Sequence, residues 1–384
     1  MQIIGNWEDT ANTAPLLPFS DSILAFFNEL SKQLIKERKY TDVATFGFWC
    51  RKASLIKEKA NYDDLDKRLG RGVVFHSTPS NVPVNFAFSF AVGLLAGNAN
   101  IVRIPSKDFA QVRIIVDAIK TLVNGKHSNL VPYICFVKYP SDRKMHDLFS
   151  SVCDVRIIWG GDNTINELRE SPLKPKAFDL TFADRYSIAI INTDEYLKAQ
   201  DKKRIAQDFY NDTYFTDQNA CTTPGIIFWI GNSKDIAKNV FWENVHQLVK
   251  AKYALVPIQS VNKLSAFYNA AINASVELID TIDNYITRLN VYKVNSELMN
   301  LRYNSGFFFE HDINKLDDIL PICGERLQTL TYYGLTTKEI ISFITTQRPK
   351  GIDRAVPMGK SMDFSLTWDG YDLIRQLSRK VQVL

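Results

Sequence analysis

Cys221 stands in the run DQNACTTPG, with an aspartate and two amide side chains before it and Thr-Thr-Pro after it. A thiol in that setting has two uses. Ionised, it attacks a carbonyl carbon and carries the product as a covalent adduct. Left neutral, it packs as a small apolar group, the usual fate of an unbridged cysteine. Cys50, Cys135, Cys153 and Cys323 sit in apolar or strand-like contexts and read as core. The five cysteines are far apart, odd in number and without CxxC spacing, which describes reduced thiols, neither a disulfide framework nor a zinc site. The five histidines show no HxxxH or HExxH spacing, so no metal site is expected. His76 reads as structural, with tuning of a thiolate as its functional alternative.

The elements that must position Cys221 come from a chain of 384 residues, long enough for two domains. Apolar residues are 46% and charged residues 23%, an ordinary globular profile with no case for disorder. The net charge of +4 is spread along the chain, which argues against nucleic-acid binding while leaving room for a basic pocket around a phosphorylated cofactor. No basic n-region precedes an apolar run at the start, and VPVNFAFSFAVGLLAG is too short and too interrupted to span a bilayer. A cytoplasmic protein without a membrane span is expected.

Residues 1–65 carry helical periodicity, as in SILAFFNELSKQLI with Ile23, Phe26, Phe27 and Leu30, and read as a packing prelude. From about residue 70 strands and helices alternate. GVVFH is a strand, VNFAFSFAVGLLAG a helix apolar on nearly every face with Gly97 as its left-handed stop, and NIVRI the next strand. SKDFAQVRIIVDAIKTLVNG then puts Val112, Ile115, Val116, Ile119 and Leu122 on one stripe. YICFVKY, VRIIWGG and SIAIINTDEYL continue the strands. Short joints between strand and helix argue for a parallel sheet covered on both faces, a Rossmann-like unit, although no GxGxxG is present. Residues 225–345 mix strands and helices as a second α/β lobe would.

Two segments together carry a family resemblance. VVFHSTPSNVPVNFAFSFAVGLLAGNANIVRIPSK resembles the PWNFP…ALAAGNxVVxKPSE block of the aldehyde dehydrogenase superfamily, and DQNACTTPG resembles its catalytic-cysteine segment. Their wording, with GIDRAVPMGKSMDFSLTWDGYDLIRQLSR near the end, is similar to the acyl-CoA reductases of the bacterial bioluminescence type, the LuxC family. The resemblance implies an α/β, aldehyde dehydrogenase-like fold with a Rossmann-like cofactor domain and an α/β catalytic domain. The expected segments are a helical stretch at 1–65, an NADPH-binding domain at 66–198 and a catalytic domain at 199–345. A tail at 346–384 is expected to return to the cofactor domain or a subunit interface.

The resemblance also implies roles. Cys221 would be the nucleophile, and Asn81 in PSNVP, with the Cys221 N–H, would stabilise the oxyanion. Hydrolytic aldehyde dehydrogenases carry a glutamate in an ELGG-like turn before the cysteine. The corresponding place here reads TFADRYS, with Asp184 as the nearest carboxylate, so a thioester on Cys221 should escape hydrolysis and await reduction. A cation or a helix N-terminus is expected to keep Cys221 ionised.

NADPH is the expected cofactor. At RIPSK, where the superfamily holds the adenosine ribose through a glutamate, Lys107 and Ser106 with Arg103 upstream suit a 2′-phosphate. Gly160 and Gly161 match the turn on which the pyrophosphate lies, and Glu325 and Gln328 match the approach to the nicotinamide ribose. The implied reaction reduces an acyl thioester to an aldehyde through an acyl-cysteine. The implied partners are an acyl-CoA or acylated partner protein, an acyl-activating ligase, and further copies of the chain. A cysteine-dependent acyltransferase without reduction and a non-catalytic scaffold are the alternatives.

Overall fold

Val73–Ser77 is buried along its whole length, which requires a strand covered on both faces. In the computed structural model, which describes residues 2–80, 82–279 and 281–383, that strand is the centre of the first of two compact units. The first unit comprises Met1–Ala183 with Leu366–Leu384, and the second Asp184–Ser365.

The first unit contains β1 (Gln2–Ile4), β2 (Arg68–Gly70), β3 (Val73–Ser77), β4 (Ala99–Arg103), β5 (Ile134–Val137), β6 (Val155–Trp159) and β7 (Phe178–Phe182). Its main sheet runs β1-β5-β4-β3-β6-β7, with β1 antiparallel to β5 and the rest parallel. From β3 the chain steps outward through β4 and β5, then crosses to β6 and β7 on the other side. The connections leaving β3 and β6 therefore diverge, and a crevice opens at the carboxyl ends, where open α/β sheets take nucleotides.

The helices of this unit's amino-terminal portion are α1 (Trp7–Ala11), α2 (Asp21–Leu34), α3 (Thr41–Trp49), α4 (Lys52–Lys59), α5 (Asn85–Leu95), α6 (Ala110–Val123), α7 (Arg143–Val152) and α8 (Asp162–Arg169). The all-apolar α5 is buried nearly all round and stops ahead of Gly97, whose φ of +87° and clearance of 2.2 Å from an added Cβ to the Leu16 carbonyl oxygen permit only glycine. α2 buries Ile23, Phe26, Phe27 and Leu30 and packs on α6, whose five-residue stripe is also buried. The helices of residues 1–65 are thus a layer of the first unit. The tail joins it too: Ser378–Lys380 pairs antiparallel with β2, and Asn98 donates to the Leu377 carbonyl at 2.9 Å.

The second unit contains β8 (Tyr186–Asn192), β9 (Pro224–Ile230), β10 (Val276–Ile279), β11 (Thr287–Val291), β12 (Phe307–Ile313), β13 (Leu327–Tyr333) and β14 (Arg354–Pro357). Their order is β10-β11-β12-β9-β8-β13-β14, and only β10 runs antiparallel to its neighbour. Alternate residues feed two cores. Ile188, Ile190, Phe228 and Phe309 face one, and Ala189, Ile191, Trp229 and Phe308 the other. Glu310, wholly buried in this sheet, is neutralised by Arg288 at 2.5 Å and accepts from the Trp229 indole at 2.8 Å.

The boundary differs from the expected division. SIAII, placed by sequence within 66–198, forms β8 of the second sheet, hydrogen-bonded to β9 and β13, so the break falls at Ala183/Asp184. Residues 346–365 likewise stay with the second unit, because β14 adds to β13, and only 366–384 return to the first.

His76 is wholly buried. Its Nε2 lies 3.0 Å from Asn100 Oδ1 and its Nδ1 2.8 Å from Ser89 Oγ, which also accepts from the Trp159 indole at 3.0 Å. Asn100 donates through its amide nitrogen to the Asn98 carbonyl, which fixes Oδ1 as the acceptor and puts the imidazole proton on Nε2. Burial lowers the imidazole from 6.5 to about 4. Above about pH 6.5 both folded and unfolded chains carry the neutral ring and full stability stands. As pH falls from 6.5 to about 4 the unfolded chain takes up a proton that the folded one refuses. Stability should then fall by up to about 1.4 kcal/mol per pH unit, with no further loss below that window. Burial lowers His127 and His146 in the same direction, so the contribution of His76 is the difference between the wild-type and His76→Gln slopes in urea unfolding across pH. Equal slopes would remove His76 from the account.

Candidate active site

Among the helices of the second unit, α9 (Thr193–Lys198) is followed by α10 (Lys202–Asp212), which leads through a short turn at Tyr214–Thr216 to the cysteine segment. Asp217 and Gln218 then take φ of +51° and +54°, two successive left-handed residues, neither a glycine. Each such residue costs roughly 1–2 kcal/mol, and side-chain bonds offset the cost. Gln218 Oε1 accepts from the N–H groups of Gly306 at 2.7 Å and Phe307 at 3.1 Å, while its Nε2 donates to the Phe307 carbonyl at 3.1 Å. The Asp217 carboxylate accepts from Tyr253 Oη, from Gln259 Nε2 at 3.3 Å and from Ser305 Oγ at 3.3 Å. The turn so held carries the chain past the amino-terminal ends of the strands before β9 begins at Pro224.

Cys221 is exposed, whereas Thr222 and Thr223 beside it are buried. The Cys221 carbonyl accepts from Ser187 Oγ at 2.7 Å, and Thr222 Oγ1 lies 3.3 Å from Met362 Sδ. Gln328 Nε2 approaches Cys221 Sγ to 3.4 Å. A cavity of about 320 Å³ adjoins the cysteine, lined among others by Arg185, Tyr186, Arg302, Tyr303 and Asn304. Asp184 also lines it, with one carboxylate oxygen 3.0 Å from Arg302 and the other 2.5 Å from Arg326. Each oxygen of this lining carboxylate is thus ion-paired with a guanidinium group.

The other cysteines are of a different kind. Burial pushes the Cys135, Cys153 and Cys323 thiols up to about 12 and Cys50 well above its ordinary value.

The candidate cofactor residues of the first unit gather at the carboxyl edge of its sheet. Arg103 ends β4, with its guanidinium 5.0 Å from the centre of the Tyr139 ring. Ser106 and Lys107 follow and are exposed, and the neighbouring Asp108 pairs with Arg113 at 2.9 Å. Gly160 and Gly161 follow β6, and Gly161 caps α8. A Cβ added to Gly161 would meet nothing within 4 Å, so open space lies over this turn. Cations, a hydroxyl and an open glycine turn on one sheet edge fit a phosphorylated dinucleotide. Asn81, expected to donate to the oxyanion, lies outside the described residues.

Glu325 and Gln328 belong to the second unit. The Glu325 side chain is exposed and its carbonyl accepts from Arg185, while the Gln328 amide faces the thiol. Sequence reasoning missed the roles of Asp217, Gln218, Ser187 and the Arg302–Asp184–Arg326 group. Only the paired Asp-Gln before the cysteine could have signalled a turn, because the remaining partners come from distant strands.

The family model for acyl-CoA reductase (LuxC) matches residues 12–380. A long-chain acyl-protein thioester reductase from Vibrio harveyi is 23% identical over 368 residues, covering 85% of this chain and 71% of that protein. Among solved structures, an NAD-dependent benzaldehyde dehydrogenase from Corynebacterium glutamicum matches with a TM-score of 0.60 at 12% identity, over 97% of this chain and 86% of that one. A glyceraldehyde-3-phosphate dehydrogenase from Methanocaldococcus jannaschii, complexed with NADP, matches with a TM-score of 0.59 at 14% identity, over 97% and 88%. At such identities the structural likeness shows the fold, which is of the aldehyde dehydrogenase type.

The contrast between exposed and buried thiols yields an expected outcome. Iodoacetamide applied to the folded protein below pH 9 should alkylate Cys221 first, with Cys50, Cys135 and Cys153 reacting only on unfolding, as read by peptide mass spectrometry. Equal labelling of a buried cysteine would contradict the arrangement.

Proposed function

We propose that this chain, which belongs to the acyl-CoA reductase (LuxC) family, reduces an acyl thioester to an aldehyde with NADPH through an acyl-Cys221 intermediate. The observation that carries this reading is the exposed Cys221 thiol beside a cavity whose lining carboxylate, Asp184, is ion-paired with two arginines.

The Cys221 thiolate attacks the acyl carbon, a C–S bond forms, and the donor thiol leaves. The Cys221 N–H and the Asn81 amide are assigned to the oxyanion, a donor of this kind contributing about 3–4 kcal/mol to the barrier. The carboxylate lining the cavity, Asp184, is held in ion pairs with Arg302 and Arg326, and in this reading the acyl group stays on sulfur until it is reduced. A nicotinamide cofactor, when bound, would supply a hydride to the acyl carbon. Arg103, Ser106 and Lys107 are assigned to its 2′-phosphate, Gly160 and Gly161 to its pyrophosphate, and Glu325 to the nicotinamide ribose. Collapse of the tetrahedral adduct returns the electron pair to Cys221 and frees the aldehyde.

The acyl donor is an acyl-CoA or an acylated partner protein. The name of the Vibrio harveyi relative supports the second, with an acyl-activating ligase as the source of the acyl group. Among the described residues no helix is long and apolar enough to cross a membrane. Self-association is part of the reading. Two further helices of the second unit are α11 (Lys234–Lys252) and α12 (Pro257–Asn273), and α12 exposes Ile258, Val261, Leu264, Tyr268 and Ile272 at helical three- and four-residue spacing, an apolar face suited to a second copy of the chain. Light scattering on the pure protein should give a multiple of the 43.8 kDa chain mass, and the monomer mass would refute self-association.

NADPH oxidation by the pure protein should require both a long-chain acyl-CoA and Cys221, and vanish in Cys221→Ser. Lys107→Glu should raise the KM for NADPH by about tenfold or more while sparing NADH, because a carboxylate repels the 2′-phosphate. An acyl adduct on Cys221 without oxidation of either nucleotide would favour the acyltransferase. Full activity in Cys221→Ser would end the thiol mechanism.

A further inference from the structure

The thiolate must be stabilised by some group, and a cation or a helix N-terminus is the usual one. One group that the structure sets against the sulfur is a neutral amide. Gln328 is 98% buried, being 2% exposed, yet its Nε2 is 3.4 Å from the sulfur of an exposed cysteine. Its Oε1 lies 3.4 Å from the hydroxyl of the wholly buried Thr329, whose donated proton orients the amide nitrogen toward Cys221.

The backbone at this point is built for the purpose. Along β13 and β8, Leu327 faces Tyr186 but Thr329 faces Ser187, so Gln328 is one residue too many for the ladder. Along β8 and β9, Ser187 faces Pro224 but Ile188 faces Ile226, so Gly225 is likewise extra. Extra residues of this sort re-aim a side chain that strict alternation would send to one sheet face. Here two of them flank Ser187, whose hydroxyl holds the Cys221 carbonyl at 2.7 Å. Three adjacent strands thus bend their amino-terminal ends around one cysteine.

We propose that Gln328 is a catalytic residue: its amide donates to the Cys221 thiolate before attack and to the same sulfur when the aldehyde leaves. The inference rests on Cys221 being the nucleophile of an acyl-thioester reductase. When the C–S bond to the acyl group forms, the sulfur gives up its charge and the Gln328 bond weakens. The donor thiolate departs with its electron pair and takes a proton from solvent. Once the acyl carbon has accepted hydride from the reduced nicotinamide, the alkoxide re-forms C=O, the C–S bond breaks, and its electron pair returns to Sγ. Gln328 Nε2 stabilises the charge that appears there. A hydrogen bond to an ionised acceptor is about twice as strong as one to a neutral acceptor, so the contact favours the two states in which sulfur is anionic.

The test compares wild type with Gln328→Met, which keeps the length and loses the donor, and Gln328→Glu, which is nearly isosteric and places a carboxylate by the sulfur. Iodoacetamide alkylation of the Cys221 peptide, followed against pH, reads the thiol ionisation directly. The midpoint should rise by about one pH unit in Gln328→Met and further in Gln328→Glu. The kcat for NADPH oxidation should fall about tenfold in Gln328→Met while the KM for acyl-CoA moves little. Thermal unfolding checks that both variants are folded, and the near-isosteric glutamate keeps the test decisive if the methionine is not. A wild-type midpoint in Gln328→Glu, with NADPH oxidation still dependent on Cys221, overturns the role of Gln328 alone. Wild-type protein that neither oxidises NADPH through Cys221 nor forms an acyl adduct overturns the reductase reading, a separate result.

Discussion

The side-chain amide of Gln218, bonded to Gly306 and Phe307, is the contact on which the cysteine segment depends. It supplies two acceptor contacts and one donor contact to the start of β12, and so ties a left-handed turn to the end of a buried strand. Gly306 completes the arrangement from the other side. Its φ is +83°, and an added Cβ would lie 2.3 Å from the Tyr285 carbonyl oxygen and 2.5 Å from Tyr214 Oη. Only glycine can pass through that gap with its N–H aimed at Gln218. Two strained residues at roughly 1–2 kcal/mol each are balanced by bonds worth about 1 kcal/mol apiece. The turn persists because the neighbouring strand and the Asp217 partners over-determine it.

The two sheets offer opposite edges to chemistry. In the first, the candidate cofactor residues follow the carboxyl ends of β4 and β6, where a parallel sheet opens its crevice without special devices. In the second, Cys221, Tyr186 and Gln328 collect at the amino-terminal ends of β9, β8 and β13. That edge has no topological crevice of its own, and the extra residues Gly225 and Gln328, with the Ser187 hydroxyl, shape one. The Arg302–Asp184–Arg326 group closes the nearby floor with charges that satisfy one another. The proposed acyl-cysteine would face a polar cavity whose lining carboxylate is ion-paired with two arginines.

Periodicity made much of this legible. The stripe from Val112 to Leu122, the all-apolar α5 and the Gly97 stop follow from local sequence, because each records how one element buries its own side chains. The family resemblance made the fold legible and pointed to Cys221. What local sequence does not record is which neighbour a strand chooses. SIAII looks the same in either sheet, and only its ladders to β9 and β13 assign it to the second unit. Gln328 could be named as a candidate for the nicotinamide ribose, but that its amide faces the Cys221 thiol depends on a one-residue slip in register that local sequence does not record. Asp184 could be named as the nearest carboxylate, but the arginines that occupy it come from 118 and 142 residues away.

A neutral donor beside the sulfur also suits the two demands that the proposed mechanism places on Cys221. As a nucleophile it must be ionised, yet its nucleophilicity falls as its pKa falls, and the best attacking thiol ionises near ambient pH. As a leaving group it departs faster the better its anion is stabilised. A full cation in contact would serve the second demand at the expense of the first. An amide proton lowers the energy of the anion by less, and Gln328, buried and oriented by Thr329, can do so without reorganising between the steps. In the proposed cycle the same sulfur attacks, holds and releases, and an intermediate stabilisation is what would let all three proceed.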